Sequence, residues 1–523
     1  MPLLTLPPLL TRTLPRFLEP LGRIPFARTA ISWVIITDLA NATSPRPRPL
    51  SMASDYTSWK SLTDRTYSGR HLPPATDDDL PSVADVVELY RRDGRAKRST
   101  DTSVLFMFFA QWFTDSFLRT SHTDPRRNTS NHEIDLCQIY GLSEIQTHSL
   151  RAKSGGRLKS QLIDGEEYPE FLFEPRAAGA RPITKPEFAG LHDEQLIIDT
   201  ILDGAPENQK DNFFAVGLEH GNSTIGNTVL NTVFLREHNR IAELLAADNS
   251  ADPAWDDDRL FETTRNIMIV LLLKLVVEEY IRHISPFDFP IKNVPFIADG
   301  ARWNRSNWCS VEFNLLYRWH SLVPDSIGRG RDQLQPADFR NNNSLVIDRG
   351  IEALISKCSR ERAGRIGLFN TPDFLVDRSR PDLPSVQERT IDLMRHARLR
   401  SYNDYREQFG LRRVTSFEQL TSDEDVRKRL DALYGDIDKL EWYVGIFAED
   451  YPDYAMMGDL LTRMVAYDAF TQALTNPLLA RNVFNEATFT QTGLDIIEET
   501  GTLQQIIVRN AARPGAVHAS FSC

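Results

Sequence analysis

Cysteine is scarce in this chain. Cys137, Cys309, Cys358 and Cys523 are scattered among 523 residues, with no CxxC and no dense cluster. That usage argues against a disulfide scaffold and against a structural zinc site. Long apolar runs are missing too: the longest, residues 267–277, is broken by Lys274 and is too short to cross a bilayer. Positive charge is in deficit, with 60 Lys and Arg against 72 Asp and Glu and a net charge of −12. A nucleic-acid partner is therefore not expected. HExxH, a GxGxxG after a strand, a Walker loop and a GxSxG elbow are all absent. Nor is there an internal repeat or a low-complexity block. What remains is ordinary globular composition, 41% apolar and 25% charged. It excludes a disordered, collagenous or coiled-coil chain. At this length one core suffices only if helices extend it outward in layers.

Residues 1–50 stand apart. Arg12, Arg16, Arg23 and Arg28 sit among apolar residues, and Glu19 is the sole acid before Asp38. Pro7, Pro8, Pro15, Pro20 and Pro25 cut the segment into pieces of a turn or two. The start, MPLLTLPPLL, lacks both the basic beginning and the uninterrupted apolar stretch of a secretory signal. Short basic amphipathic helices fit better, with Phe17, Leu18, Leu21, Phe26, Ile31 and Trp33 available for one face. Two readings stand: monotopic membrane contact, or a tail packed on the main body. The expected location is cytoplasmic or peripheral to a membrane.

A Pro-rich linker (residues 45–54) and an acidic passage (residues 71–81) follow. Beyond them, apolar residues recur at helical spacing over 101–120, 224–246, 259–284, 385–409 and 457–475. Strand signals are few. The expected fold is mainly α, with one domain covering residues 55–523.

Two clusters could carry chemistry. In FMFFAQWFTDSFLRT (residues 106–120), Gln111 and Asp115 lie four apart, on one side of an apolar helix. A carboxylate there must be exposed, paired (Arg119 is near in sequence) or functional, because burying it alone is costly. In FNLLYRWHSLVPD (residues 313–325), Tyr317 and His320 lie three apart and are expected on one helical face ending near Pro324. By spacing alone His320 is either a satisfied core histidine or a metal or haem ligand.

These segments resemble the prostaglandin endoperoxide synthases (cyclooxygenases) among the animal-type haem peroxidases. The similarity begins at IPFARTAISW (24–33), SWKSL (58–62) and LPPATDD (72–78), then takes in MFFAQWFTDSFLRT (107–120), HEIDLCQIYG (132–141) and QLIDGEEYP (161–169). It continues through VFLREHNRIAELL (233–245), EFNLLYRWHSLVPD (312–325), LYGDIDKLEWY (433–443) and TGTLQQIIVRN (500–510). The epidermal-growth-factor module of the animal enzymes finds no counterpart in this sequence. The resemblance implies haem b, held by His320 as proximal iron ligand, with Tyr317 as the radical-forming tyrosine and Tyr443 as a second tyrosine near the proximal side. Gln111 matches the family's distal glutamine. It further implies O2 and a hydrophobic small molecule as co-substrates, and a homodimer.

The departures are as informative. The family's distal histidine is Asp115 here, so either a carboxylate replaces the imidazole in proton transfer or peroxide activation is impaired. Ungapped alignment places Leu39 at the family's carboxylate-gripping arginine and Phe287 at the tyrosine that assists it. Phe313 and Trp319 keep the channel aromatics. Arg463 stands where the family has a glutamate, and Ala469 stands at the aspirin-acetylated serine. Arg463 could grip a carboxylate in place of the lost arginine, or the substrate could be neutral or basic. The expected activity is a haem-dependent, tyrosyl-radical dioxygenase acting on an unsaturated fatty acid or lipid-like molecule, yielding a hydroperoxide or endoperoxide. The alternatives are a peroxidase oxidising small aromatic donors, or a haem-binding pseudoenzyme or lipid sensor.

Overall fold

The computed structural model describes residues 20–41, 51–53, 56, 58–76, 80–121, 123–203, 205–286 and 289–523. Helices dominate, and the strands among the described residues form three short antiparallel pairs. The expectation of a mainly α fold is met.

Helix α1 (Pro25–Ala40) opens with proline at its first position, where no amide hydrogen bond is lost. Ser32, Ile36, Leu39 and Ala40 form its buried face, which lies against the body. Helix α2 (Val104–Thr114) is capped by Ser103 and is apolar almost all round, the pattern of a helix inside a core. Thr224 caps the long helix α3 (Ile225–Asp248), and α2 packs on its first half. A Cβ on Gly226 would come within 2.2 Å of the Phe108 ring, so glycine there sets how closely α2 and α3 approach.

Helix α4 (Asp257–Leu275) contains the apolar run, buried on every side, and continues through a π-turn (Val276–Tyr280). Its lone lysine is satisfied: Lys274 Nζ donates to the carbonyls of Ile497 and Glu498, both at 2.6 Å. Helix α5 (Val311–Leu316) lies between α6 (Val386–His396) and α8 (Asp459–Leu474), and α7 (Trp442–Ala448) is buried throughout. The α1 helix rests on α8.

Two expectations are corrected. The periodicity over 385–409 is interrupted where Arg398 adopts φ +54°, splitting α6 from Tyr402–Gln408. The helix expected to run from Phe313 to Pro324 stops at Leu316. Tyr317 is its cap, Trp319 has ψ 58°, and His320–Leu322 form a separate 3-10 turn. Tyr317 and His320 are therefore neighbours through a tight bend and do not share a helical face.

Candidate active site

A cavity of about 650 Å³ separates α2 and the start of α3 from the bend after α5. Gln111 and Asp115 line one side, and Tyr317, Trp319 and His320 are also in its lining. The bend that breaks the helix is what turns both Tyr317 and His320 into the same space. Such a volume suits a large ligand.

His320 Nδ1 lies 2.7 Å from Gln387 Oε1 on the first turn of α6. The amide oxygen accepts a hydrogen bond from Nδ1–H, which leaves Nε2 with the lone pair that could hold a metal. Burial pushes the imidazole down to about 4, the Gln387 bond opposing it, so the ring is neutral as a ligand must be. Tyr443, carried by α7, donates from its phenol to the Arg318 carbonyl at 2.7 Å, which pins the backbone between Tyr317 and Trp319. Burial drives the Tyr443 phenol upward.

The Tyr317 hydroxyl is buried and has no hydrogen-bond partner among the described residues. Burial, then the negative charge of Asp468, pushes its proton affinity well above an ordinary phenol. Its ring meets Phe313 edge-on at 5.5 Å and Trp319 at 5.0 Å. An orphaned phenol is an expensive arrangement in a finished core and a natural one where a guest molecule completes the wall.

Asp115 follows the last residue of α2, its amide bonded back to the Gln111 carbonyl. It is no partner of Arg119, which pairs with Glu219 instead. Asn227 on α3 donates to Asp115 Oδ2 at 3.4 Å. Burial raises the carboxyl to about 7, against the opposing pull of Arg119 and Asn227.

Of the channel residues, Trp319 is in the lining of this cavity, while Leu39, Phe313, Arg463 and Ala469 are not. Leu39 lies on the buried face of α1, and Arg463 and Ala469 are buried on α8, against which α1 packs. Arg463 is 5% exposed; Nη1 donates to the Phe409 carbonyl at 2.9 Å, while Nη2 has no partner among the described residues. Phe313 is buried under Tyr317. Phe287 lies outside the described residues. No group of three or more His, Cys, Asp or Glu able to hold a bare metal ion occurs among the described residues.

Sequence reasoning did not find Gln387 or Asn227. A lone amide residue in a helix carries no periodic or motif signal, and both act through partners distant in sequence.

The residues fit a haem. A neutral histidine faces a large cavity, polar groups stand across it, and Arg340 and Arg389, which also line it, could meet propionate carboxylates. Comparison with known proteins agrees. Rat prostaglandin G/H synthase 1 is 33% identical over 93% of this chain and 77% of its own length. Rabbit prostaglandin G/H synthase 2 is 31% identical over 95% of this chain and 79% of its own. Among solved structures, rice fatty acid alpha-dioxygenase superposes with a TM-score of 0.71 at 15% identity, covering 99% of each chain. Peroxidase A from Dictyostelium discoideum gives 0.67 at 20% identity, covering 92% of this chain and 95% of that one. At those identities the structures speak to the fold. The animal haem peroxidase family matches residues 116–521, and with the relatives above it shows that the chain belongs to that family of haem oxidoreductases.

Proposed function

We propose that this protein is a haem-dependent, tyrosyl-radical dioxygenase that abstracts hydrogen from a hydrophobic substrate, an unsaturated fatty acid or lipid-like molecule, and adds O2. The observation that carries the reading is one cavity whose lining includes His320, Tyr317, Gln111 and Asp115, with the Tyr317 hydroxyl buried and without a partner among the described residues. Haem b bound there would supply the oxidising equivalents that act on Tyr317. His320 would hold the iron through Nε2, its orientation set by Gln387. Gln111 would hold a peroxide in line while Asp115 takes its proton and returns it to the departing oxygen. The Tyr317 radical would then take a hydrogen atom from the substrate, leaving a carbon radical that combines with O2.

Phe313, Trp319 and Ala469 are apolar and buried, which would suit a hydrocarbon chain. Arg463, whose buried Nη2 has no partner among the described residues, is the group we assign to a substrate carboxylate at the place where Leu39 offers no charge. Relatives and structural neighbours named as prostaglandin synthases and fatty acid dioxygenases support oxygenation of a fatty acid. One observation favours peroxidase chemistry as the second reading: the distal wall carries His220, Ser223 and Thr224, a polar lining suited to small donors.

The N-terminal segment is the part we assign to membrane contact. No helix among the described residues is long and apolar enough to cross a membrane. The outer face of α1 nonetheless exposes Phe26 at 83%, Trp33 and Val34, while Arg28 pairs with Glu278 and binds the Pro290 carbonyl. Such a helix would lie in an interface, docked to the body on one side. By family resemblance we also assign a homodimer.

The deciding experiment is oxygen uptake by the haem-loaded protein with unsaturated fatty acids, followed by product mass. An increase of one or two O2 per product supports the reading. Haem binding with peroxide-driven donor oxidation and no O2 uptake would turn it to the peroxidase alternative. Stable haem with no reaction at all would leave the pseudoenzyme.

A further inference from the structure

Asp115 is an awkward sole keeper of the distal proton. A carboxylate must be ionised to accept and protonated to donate, and it stands at the C-terminal end of α2, where the helix dipole opposes negative charge. A second titratable group lines the same cavity. His220 lies in the turn before α3, beside Ser223 and Thr224 and half-buried.

The turn is fixed. The His220 carbonyl accepts from the Ser223 amide at 2.9 Å and from Asn227 Nδ2 at 3.3 Å. The same Asn227 amide reaches Asp115 Oδ2 at 3.4 Å and Ser223 Oγ at 3.2 Å. One side chain at the start of α3 thus holds both the end of α2 and the His220 turn. The charged groups around them are Glu219, Arg119, His192 and, on the cavity lining, Arg340 and Arg389. Arg119 pairs with Glu219; burial would raise the Glu219 carboxyl, but the Arg119 charge and, after it, that of the neighbouring His220 hold it at about 2. His192 binds the Val216 carbonyl at 2.8 Å and burial keeps it neutral. Asp115 and His220 both line the cavity, and Asn227 ties the turn that carries one to the helix end that carries the other.

We propose that His220 is a second proton-transfer residue of this site, working with Asp115 on a hydroperoxide bound in the cavity. The inference rests on the haem-peroxidase reading above. An imidazole nitrogen takes the proton of the incoming hydroperoxide O–H. It returns that proton to the oxygen that departs as alcohol or water when the O–O bond breaks. The proton count closes, and the two electrons consumed by O–O cleavage are those that bound haem would provide. An imidazole suits the task because its proton affinity is ordinarily near neutrality.

The test uses the haem-loaded protein and hydrogen cyanide, a weak acid that must surrender its proton to bind ferric iron as the anion. Stopped-flow rates of cyanide binding are read across pH 5–8 for the native protein, His220→Leu, His220→Gln and Asp115→Asn, after the haem absorption band confirms each is loaded. We expect both His220 variants to bind cyanide about tenfold or more slowly and to lose one inflection of the pH profile. Peroxide consumption should fall in parallel. Native rates and an unchanged profile in both His220 variants, with slowing in Asp115→Asn, would overturn the role of His220 and leave the proposed function standing. Failure of the native protein to bind haem would instead remove the functional reading itself.

Discussion

His320 Nδ1 and Gln387 Oε1 lie 2.7 Å apart, joining the turn that follows α5 to the first turn of α6. The capping box of Ser385 and Glu388 fixes that first turn, with the Glu388 amide bonded to Ser385 Oγ at 3.1 Å and the Ser385 amide to Glu388 Oε2 at 2.6 Å. Gln387 is thereby held with its side chain fully buried beside the imidazole. Removing this acceptor should cost haem affinity by about 10- to 100-fold, the usual effect of losing a ligand's supporting partner. Titration of apo Gln387→Leu with haem checks it, and His320→Ala should lose stable haem altogether.

Tyr317→Phe keeps the ring contacts with Phe313 and Trp319 and removes only the partnerless hydroxyl. Haem binding and protein stability should persist. Oxygen uptake and the tyrosyl radical signal should vanish, while oxidation of small donors is largely spared. Native rates of O2 uptake in this variant would end the radical mechanism.

Asp115 gives a pH dependence of known sign. Its folded value of about 7 lies above the ordinary carboxylate value of 3.8, so the native state binds more protons than the unfolded chain between them. Stability contributed by this residue is therefore present at low pH and lost as pH rises through about 7. The loss is at most roughly 4 kcal/mol. Urea melts of the apo protein at pH 5 and pH 8 should show it, and Asp115→Asn should flatten the difference. Peroxide turnover should run the opposite way, falling on acidification as the carboxylate that accepts the proton is neutralised. Asp115→His should turn over at least as fast as the native protein.

Arg463→Gln should raise KM for a free fatty acid by about tenfold or more, since a buried charge-assisted contact is lost. The methyl ester of the same acid should be little affected. Equal sensitivity of acid and ester would take the carboxylate away from Arg463.

On α1, Phe26 and Trp33 are exposed, so Phe26→Ser with Trp33→Ser should leave the fold intact. Sedimentation with anionic vesicles should show about tenfold or weaker binding, and native binding should weaken with added salt. A double variant that sediments like the native protein would remove α1 from membrane contact.

Much of the site could be read from local order. Gln111 lies on a helix whose apolar run was plain, Asp115 caps its end, and their spacing was enough to place them together. In the YRWH segment helical spacing put Tyr317 beside His320, whereas a broken helix and a 3-10 turn bring both to the lining of one cavity. The Asp115–Arg119 pairing that sequence offered gave way to Arg119–Glu219, a contact across 100 residues that periodicity does not encode.

Composition and apolar periodicity determined a large helical protein, because they act through neighbours a few positions apart. Motif order determined the family and pointed to His320 and Tyr317. Tertiary structure alone decided which groups meet. It placed Gln387 behind His320 and gave Lys274 the carbonyls of Ile497 and Glu498. It also let one amide, Asn227, hold both Asp115 and the His220 turn. A buried polar group must find a partner wherever the packed chain provides one. That partner is chosen by three-dimensional proximity, which helical spacing along the chain does not contain.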